Sequence, residues 1–178
     1  MSRIPLIDPN TATAQRKALL TDIHGAFGAT PNMFKVVANS PAALASMWGS
    51  FGALGGGVIP AKLGELIAVA VANRNACEYC LAAHTALGRK AGSTSADMVA
   101  AQVGHSDDPK TQAALTFALR VVEGRGQLQA GDVEELRAAG YSDEEVVEIL
   151  AHVALNLFTN YVNVAFDVPV DFPGVKLR

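Results

Sequence analysis

The sequence is poor in charged residues and has no long apolar run. Only 17% of its 178 residues are charged, against about 25% in a typical soluble domain, and the uncharged surface this leaves favours contacts between subunits. The net charge is −3, so the clustered Lys and Arg that nucleic-acid binding requires are not expected. The most apolar window, residues 66–72, is far shorter than the roughly 20 residues that cross a bilayer. With no signal-peptide pattern at its start, the chain is predicted to be cytoplasmic, without membrane or nucleic-acid partners.

Cysteine is scarce as well, because Cys77 and Cys80 are the only two. A chain of this length buries roughly 70% of the surface that its unfolded form exposes, so it needs neither a disulfide nor a metal to fold. In a reducing compartment, two cysteines separated by two residues are more typical of redox or metal chemistry than of a structural disulfide. The pair therefore marks the candidate functional site.

The apolar pattern predicts an all-α protein, since helical periodicity dominates and two-residue alternation is missing. We expect a single domain over residues 1–178, with an extended N-terminal arm over residues 1–10, where Pro5 and Pro9 oppose helix. The first eight expected helices cover residues 11–26, 33–38, 41–54, 60–74, 75–91, 95–102, 109–123 and 130–138. A ninth begins at a capping box opened by Ser142 and stops before Val168.

Residues 60–92 are predicted to form a central helical hairpin that carries the cysteines. Asn75 is the expected N-cap of the second helix, and Glu78 would close a capping box. Glu65 lies ten residues before Asn75 and His84 nine residues after it, so an antiparallel hairpin brings both to the same height. A carboxylate in an apolar helix is costly to bury alone, and we therefore expect Glu65 to pair with His84.

Cys77, Cys80 and His84 are spaced to share one helix face. A histidine beside a thiol can accept its proton or stabilise the thiolate. The helix N-terminus favours the Cys77 thiolate and His84 favours the Cys80 thiolate, so the residues alone leave open which thiol is more acidic. A zinc site with Glu65 as fourth ligand is one alternative. Buried cysteines without a role, or a static disulfide, are others.

Four residues carry a specific spacing, which is Glu65-x11-Cys77-x2-Cys80-x3-His84. This pattern resembles the signature of alkylhydroperoxidase D-like proteins in the carboxymuconolactone decarboxylase superfamily. The flanking stretches Thr30–Phe34, Ser40-Pro41 and Asn160–Asn163 are similar to its peroxidase-related branch. The resemblance extends over about Thr30–Pro173 and is specific over residues 60–92.

The resemblance implies an all-helical bundle, a symmetric homo-oligomer (trimer or hexamer) and a thiol peroxidase. Cys80 would attack a hydrogen or organic peroxide and become a sulfenic acid. Cys77 would then close a disulfide, which an external dithiol or a lipoyl-type protein would reduce. Glu65 and His84 would relay protons. No cofactor and no metal is expected.

Tyr79 departs from the family pattern, since the best-known members carry a second histidine there. Tyrosine is a poor base at neutral pH, so the relay is expected to be shorter, and Tyr79 is equally compatible with packing. His152, Asn156, Asn160 and Asn163 form a polar stripe on the last helix. We interpret the stripe as a subunit interface or as satisfied polar groups, with a contribution behind the site as the alternative.

Two other functions stay open from the sequence. A carboxymuconolactone decarboxylase-like enzyme could share the fold, although those enzymes generally lack the cysteine pair. A non-catalytic redox sensor or interaction protein could use the disulfide to change its assembly. Trp48 and Phe51 are expected in the core or at an interface, with the wall of a peroxide pocket as the alternative.

Overall fold

The computed structural model describes residues 2–178, which form nine α-helices and no β-strand. The all-α prediction is confirmed. In chain order the helices are α1 (Ala14–Phe27), α2 (Asn32–Val37), α3 (Pro41–Gly55), α4 (Ala61–Arg74), α5 (Glu78–Lys90), α6 (Ser95–Gln102), α7 (Pro109–Glu123), α8 (Ala130–Ala138) and α9 (Asp143–Ala165).

Several helices begin where the sequence supplies a cap. The Ser142 hydroxyl accepts the N–H of Glu145, whose carboxylate accepts the N–H of Ser142. This reciprocal pair opens α9. At α3 and α7 the cap is one-sided: the side-chain oxygens of Ser40 and Asp108 each accept a backbone N–H three residues later, and each cap is followed by a proline in the first turn. Proline is favoured there because its missing N–H would have no helical partner.

The start of α5 differs from the sequence prediction. Asn75 is the residue that ends α4, and Ala76 takes a left-handed φ of 52°. Cys77 is the N-cap of α5, and its sulfur accepts the N–H of Cys80 at 3.2 Å. The predicted capping box between Asn75 and Glu78 was therefore wrong. The left-handed turn at Ala76 separates the two helices and makes a thiol, not an amide, the cap.

α4 lies at the centre of the molecule, against α5, α6, α7 and α9. Every residue from Leu66 to Ala72 is buried, so the most apolar window of the chain forms this central helix. A helix that is apolar on all sides is stable only when neighbours cover it. Fully burying a side chain such as Ile67 contributes about 1.5–3 kcal/mol. Packing around α4 therefore fixes the hairpin that α4 forms with α5.

Both ends of the described chain run without helix along the bundle. In the N-terminal arm, the N–H of Arg3 donates to the carbonyl of Phe166 at 2.8 Å. After α9, residues 168–178 form an extended segment, here called the C-terminal strap, which reaches back to α4 and α6. Within residues 2–178, no helix has both the length and the apolar content needed to cross a membrane.

Candidate thiol active site

The two cysteines lie in the first turn of α5 and are both buried, free thiols. Cys77 stands at the N-cap, and Cys80 follows one turn later on the same face. This arrangement brings both sulfurs close to the helix N-terminus, where backbone N–H groups favour negative charge. The turn is therefore suited to holding one thiolate.

Asn163 on α9 contacts the Cys80 sulfur directly. Its side-chain Nδ2 donates to Sγ at 3.1 Å, and the residue is 4% exposed. Asn160, one turn earlier, is fully buried and accepts a hydrogen bond from Asn75. Both amides are buried inside one chain, so they belong to the thiol site and not to a subunit interface. The sequence signal that could have revealed them is their position on the buried face of α9, because a buried amide needs a hydrogen-bond partner.

Glu65 and His84 meet across the α4–α5 hairpin. Glu65 Oε2 lies 2.8 Å from His84 Nδ1, the contact expected from the hairpin register. Burial alone lowers the pKa of His84, but the Glu65 carboxylate outweighs it, and the net pKa is raised. The imidazolium is therefore favoured, and because Nδ1 holds Glu65, Nε2 is left to carry a proton.

The electrostatics distinguish the two thiols. Burial alone raises the pKa of Cys80, but a hydrogen bond from the Cys77 thiol and the charge of His84 outweigh it. Together with the amides of Asn163 and Asn160, the Cys77 hydrogen bond and the His84 charge lower the pKa of Cys80 to about 7. The hydrogen bond with Cys80, followed by burial, raises the pKa of Cys77. Cys80 is thus the more acidic thiol, and Cys77 keeps its proton.

Tyr79 sits between the cysteines and serves as an anchor. Its hydroxyl accepts the N–H of Met33 at 3.2 Å, and its ring meets that of Phe172 edge-on, with centroids 5.7 Å apart. Burial raises the pKa of Tyr79 above the ordinary tyrosine value. Tyr79 therefore stays neutral, and it packs the site together without acting as a base.

Two cavities meet at His84. The smaller, about 30 Å³, touches Cys80 and has mainly apolar walls. The larger, about 160 Å³, touches Glu65 and His152 and does not reach either cysteine. Phe51 and Thr159 line both cavities together with His84. The thiolate thus opens only into the smaller space.

His152 lines the larger cavity with Glu65 and His84, and not the smaller cavity at Cys80. Its Nε2 is 3.9 Å from a carboxylate oxygen of Glu148, and burial lowers the pKa of His152. Among the described residues, His152 makes no hydrogen bond to Cys80. Asn163, in the same polar stripe, does. In the part of the chain that the structure describes, no group of three or more His, Cys, Asp or Glu side chains is arranged to hold a metal ion.

The helical hairpin carries a thiol pair at one helix start and a carboxylate–imidazole pair across it, and the bundle around it is similar to a structure described as an alkylhydroperoxidase AhpD core. The chain has this fold. Residues 41–121, from α3 to α7, match the model of the carboxymuconolactone decarboxylase family. The family resemblance inferred from the sequence is therefore confirmed. A comparison with curated proteins gives no significant match.

Solved structures with the same fold include two peroxidase-related proteins and a debrominase. An uncharacterized peroxidase-related protein from Ralstonia eutropha JMP134, described as an alkylhydroperoxidase AhpD core, has a TM-score of 0.85 and 25% identity, over 96% of this chain and 92% of that one. A peroxidase-related protein from Silicibacter sp. TM1040 has a TM-score of 0.81 and 23% identity, over 93% and 88%. A cysteine-to-alanine variant of the debrominase Bmp8, in complex with 2,3,4-tribromopyrrole, has a TM-score of 0.80 and 23% identity, over 95% and 91%.

Proposed function

We propose that this protein is a two-cysteine peroxide reductase in which Cys80 is the attacking thiolate. The observation that carries the proposal is the Cys80 sulfur, which has a pKa of about 7, accepts a hydrogen bond from Asn163 and borders a small cavity. The thiolate is the nucleophilic form of cysteine, and a pKa near ambient pH combines a large thiolate fraction with good nucleophilicity. The likeness to a peroxidase-related structure at 25% identity supports the same chemistry.

The first step oxidises Cys80. Its thiolate attacks the terminal peroxide oxygen, so the S–O bond forms as the O–O bond breaks and sulfur loses two electrons. The leaving alkoxide, or hydroxide from hydrogen peroxide, takes a proton from His84 and departs as an alcohol or water. Glu65 stabilises the imidazolium until that transfer and fixes the ring through Nδ1. Cys80 is left as a sulfenic acid.

The second step closes a disulfide and the third opens it. The Cys77 thiol attacks the sulfenic sulfur, and its proton leaves with the hydroxyl group as water. An external dithiol then reduces the disulfide by exchange and is itself oxidised to a disulfide. The proton of the restored Cys80 thiol returns to His84. Each cycle converts one peroxide and one dithiol into an alcohol or water, a second water and one oxidised dithiol.

Lactone decarboxylation is the second candidate, because the matched family model carries that name. Its substrate is a carboxylate, which side chains with a permanent positive charge would recognise. Among the described residues, neither Lys nor Arg lines the two cavities at His84. The thiol pair would also have no part in the loss of carbon dioxide. Both observations favour peroxide reduction.

The decisive experiment measures peroxide consumption with dithiothreitol or dihydrolipoamide as the reductant. We expect one peroxide consumed per dithiol oxidised in the wild type and no turnover in Cys80→Ser. In a separate reaction without reductant, Cys77→Ser should consume one peroxide and stop at the sulfenic acid, because it has no second thiol with which to close a disulfide. His84→Gln should slow peroxide consumption, because the leaving oxygen loses its proton donor. His105→Gln, at an exposed histidine away from both cavities, is its control. Full turnover in Cys80→Ser would show that this mechanism is wrong.

A further inference from the structure

The space beside Cys80 is small. At about 30 Å³, it is well below the roughly 150 Å³ of a cavity that takes up benzene, and it suffices for about two water molecules. Hydrogen peroxide has that size, whereas cumene hydroperoxide carries a phenyl ring. The 160 Å³ cavity is large enough for a ring, but Cys80 does not line it. The space at the sulfur thus accommodates a small oxidant.

One wall of this small cavity differs from the others. Phe27, Phe34 and Phe51 come from α1, α2 and α3 and pack against one another, with neighbouring ring centroids 5.7–5.8 Å apart. Phe172 comes from the C-terminal strap and rests edge-on against Tyr79. Because an extended segment moves more readily than a packed helix, Phe172 is the wall whose position sets the width of the cavity.

The strap is held on both sides of Phe172. Before it, the backbone N–H of Asn32 donates to the Asp171 carboxylate at 2.8 Å, and the Asn32 side chain donates to the carbonyl of Pro169 at 3.1 Å. This anchor ties the strap to the start of α2. It holds the ring of Phe172 over the thiol site.

A second anchor lies beyond Phe172, at α4 and α6. Gln102 is buried and donates to the carbonyl of Lys176 at 2.6 Å. Asn73 accepts the N–H of Arg178 at 3.0 Å. Neither Gln102 nor Asn73 lines a cavity at His84, so this anchor can be removed without touching the reacting groups.

We propose that Phe172 is a specificity-determining residue, which restricts the oxidant at Cys80 to hydrogen peroxide and molecules of similar size. This inference rests on the proposed peroxide-reductase function and adds the substrate class. Phe172 excludes a ring-bearing hydroperoxide by occupying the space that the ring would need. The strap anchors keep it there.

The test compares two oxidants on the reduced protein, with the rate of Cys80 oxidation followed by rapid mixing and thiol counting. For the wild type we expect hydrogen peroxide to react about tenfold faster than cumene hydroperoxide, or more, since shape differences in a pocket produce selectivities of this order. Phe172→Ala should raise the ratio of the cumene hydroperoxide rate to the hydrogen peroxide rate by about tenfold. Val170→Ala, which shortens an exposed strap side chain that lines neither cavity at His84, is the matched control.

Gln102→Leu provides a second variant that leaves the cavity walls intact. Loosening the distant anchor should shift selectivity in the same direction as Phe172→Ala, to a smaller extent. The hydrogen peroxide rate reports whether each variant is folded and reactive. A wild type that prefers cumene hydroperoxide, or unchanged selectivity in Phe172→Ala, would overturn the inference. If neither peroxide oxidises wild-type Cys80, the peroxide-reductase function itself is wrong.

Discussion

At the residue scale, one amide adds to the Cys77 hydrogen bond and the His84 charge in stabilising the Cys80 thiolate. Asn163 donates to the Cys80 sulfur from another helix, and a hydrogen bond to a charged group is stronger than one to a neutral group. The donor therefore stabilises the thiolate more than the thiol. Burial opposes ionisation of Cys80, so the thiolate depends on such contacts.

Replacing Asn163 by Ala should raise the pKa of Cys80 by roughly one unit, the equivalent of about 1.4 kcal/mol for a lost charge-assisted hydrogen bond. The pKa of Cys80 is about 7, so the variant should need a higher pH to reach the same thiolate fraction. Thiolate absorbance at 240 nm against pH measures the shift. Asn156→Ala is the control, because Asn156 donates only to the carbonyl of His152 on its own helix. An unchanged Cys80 pKa in the Asn163 variant would contradict this role.

The sequence predicted the contact between Glu65 and His84, but it gave a role for Asn163 at the site only as the alternative interpretation of the polar stripe. The contact between Glu65 and His84 was predictable, because residue spacing and hairpin register both follow from helix geometry over about 20 residues. The contact between Asn163 and Cys80 joins residues 83 apart. It depends on how α9 packs against α5, and a one-dimensional pattern does not contain that information.

At the element scale, Glu148 on α9 braces the loop between α3 and α4. Its carboxylate accepts the N–H of Val58 at 3.0 Å and that of Ile59 at 2.8 Å. A side chain at Gly57 would overlap this carboxylate, which explains a glycine in the loop. The two bonds fix the position at which α4, and with it Glu65, begins.

We expect Glu148→Gln to lower the free energy of unfolding by about 1–2 kcal/mol at pH 7, since one of two charge-assisted bonds is lost. The two backbone N–H groups lower the pKa of Glu148, the bond to Ile59 first. The stabilisation is therefore complete above the ordinary Glu pKa of about 4.3 and is lost as pH falls through the lowered pKa of the folded state.

Urea unfolding at pH 7 and near pH 3 measures the difference between this variant and the wild type. The difference should shrink at the lower pH, because there the unfolded wild type takes up the proton that the folded carboxylate resists. Glu144→Gln, at an exposed residue one turn earlier in α9, should have a smaller effect. A Glu148 effect of equal size at both pH values would show that the carboxylate is not the cause.

Helix starts were predictable where oxygen side chains cap them, and the α5 start was not. Serine and aspartate caps at Ser40, Asp108 and Ser142 follow known preferences. A cysteine cap is not among those preferences, and Asn75 offered the conventional alternative. The tertiary turn at Ala76 decided between them.

At the scale of the whole molecule, α9 exposes an apolar face. Its large members are 37–66% exposed and recur at helical spacing, namely Val147, Leu150, Phe158, Tyr161 and Val164. Several large exposed apolar residues on one helix are typical of an interaction site. It supports the proposal that copies of the chain assemble through α9, while the number of subunits stays a prediction from the family resemblance.

If α9 forms that interface, Leu150→Glu should reduce the sedimenting mass of the protein, because a charge buried at an apolar interface is strongly unfavourable. Val99→Glu changes an equally exposed apolar residue on α6 and should leave the mass unchanged. Sedimentation velocity measures both variants. A monomeric wild type would show that α9 serves no self-association.

The measurement that tests the central claim most directly is the site of the first oxidation product. Reduced Cys77→Ser is mixed with one equivalent of hydrogen peroxide and a sulfenic-acid trap, and the adduct is located by peptide mass spectrometry. We predict one adduct, on Cys80, formed within the first turnover. A protein that keeps its Cys80 thiol unmodified under these conditions would contradict the account.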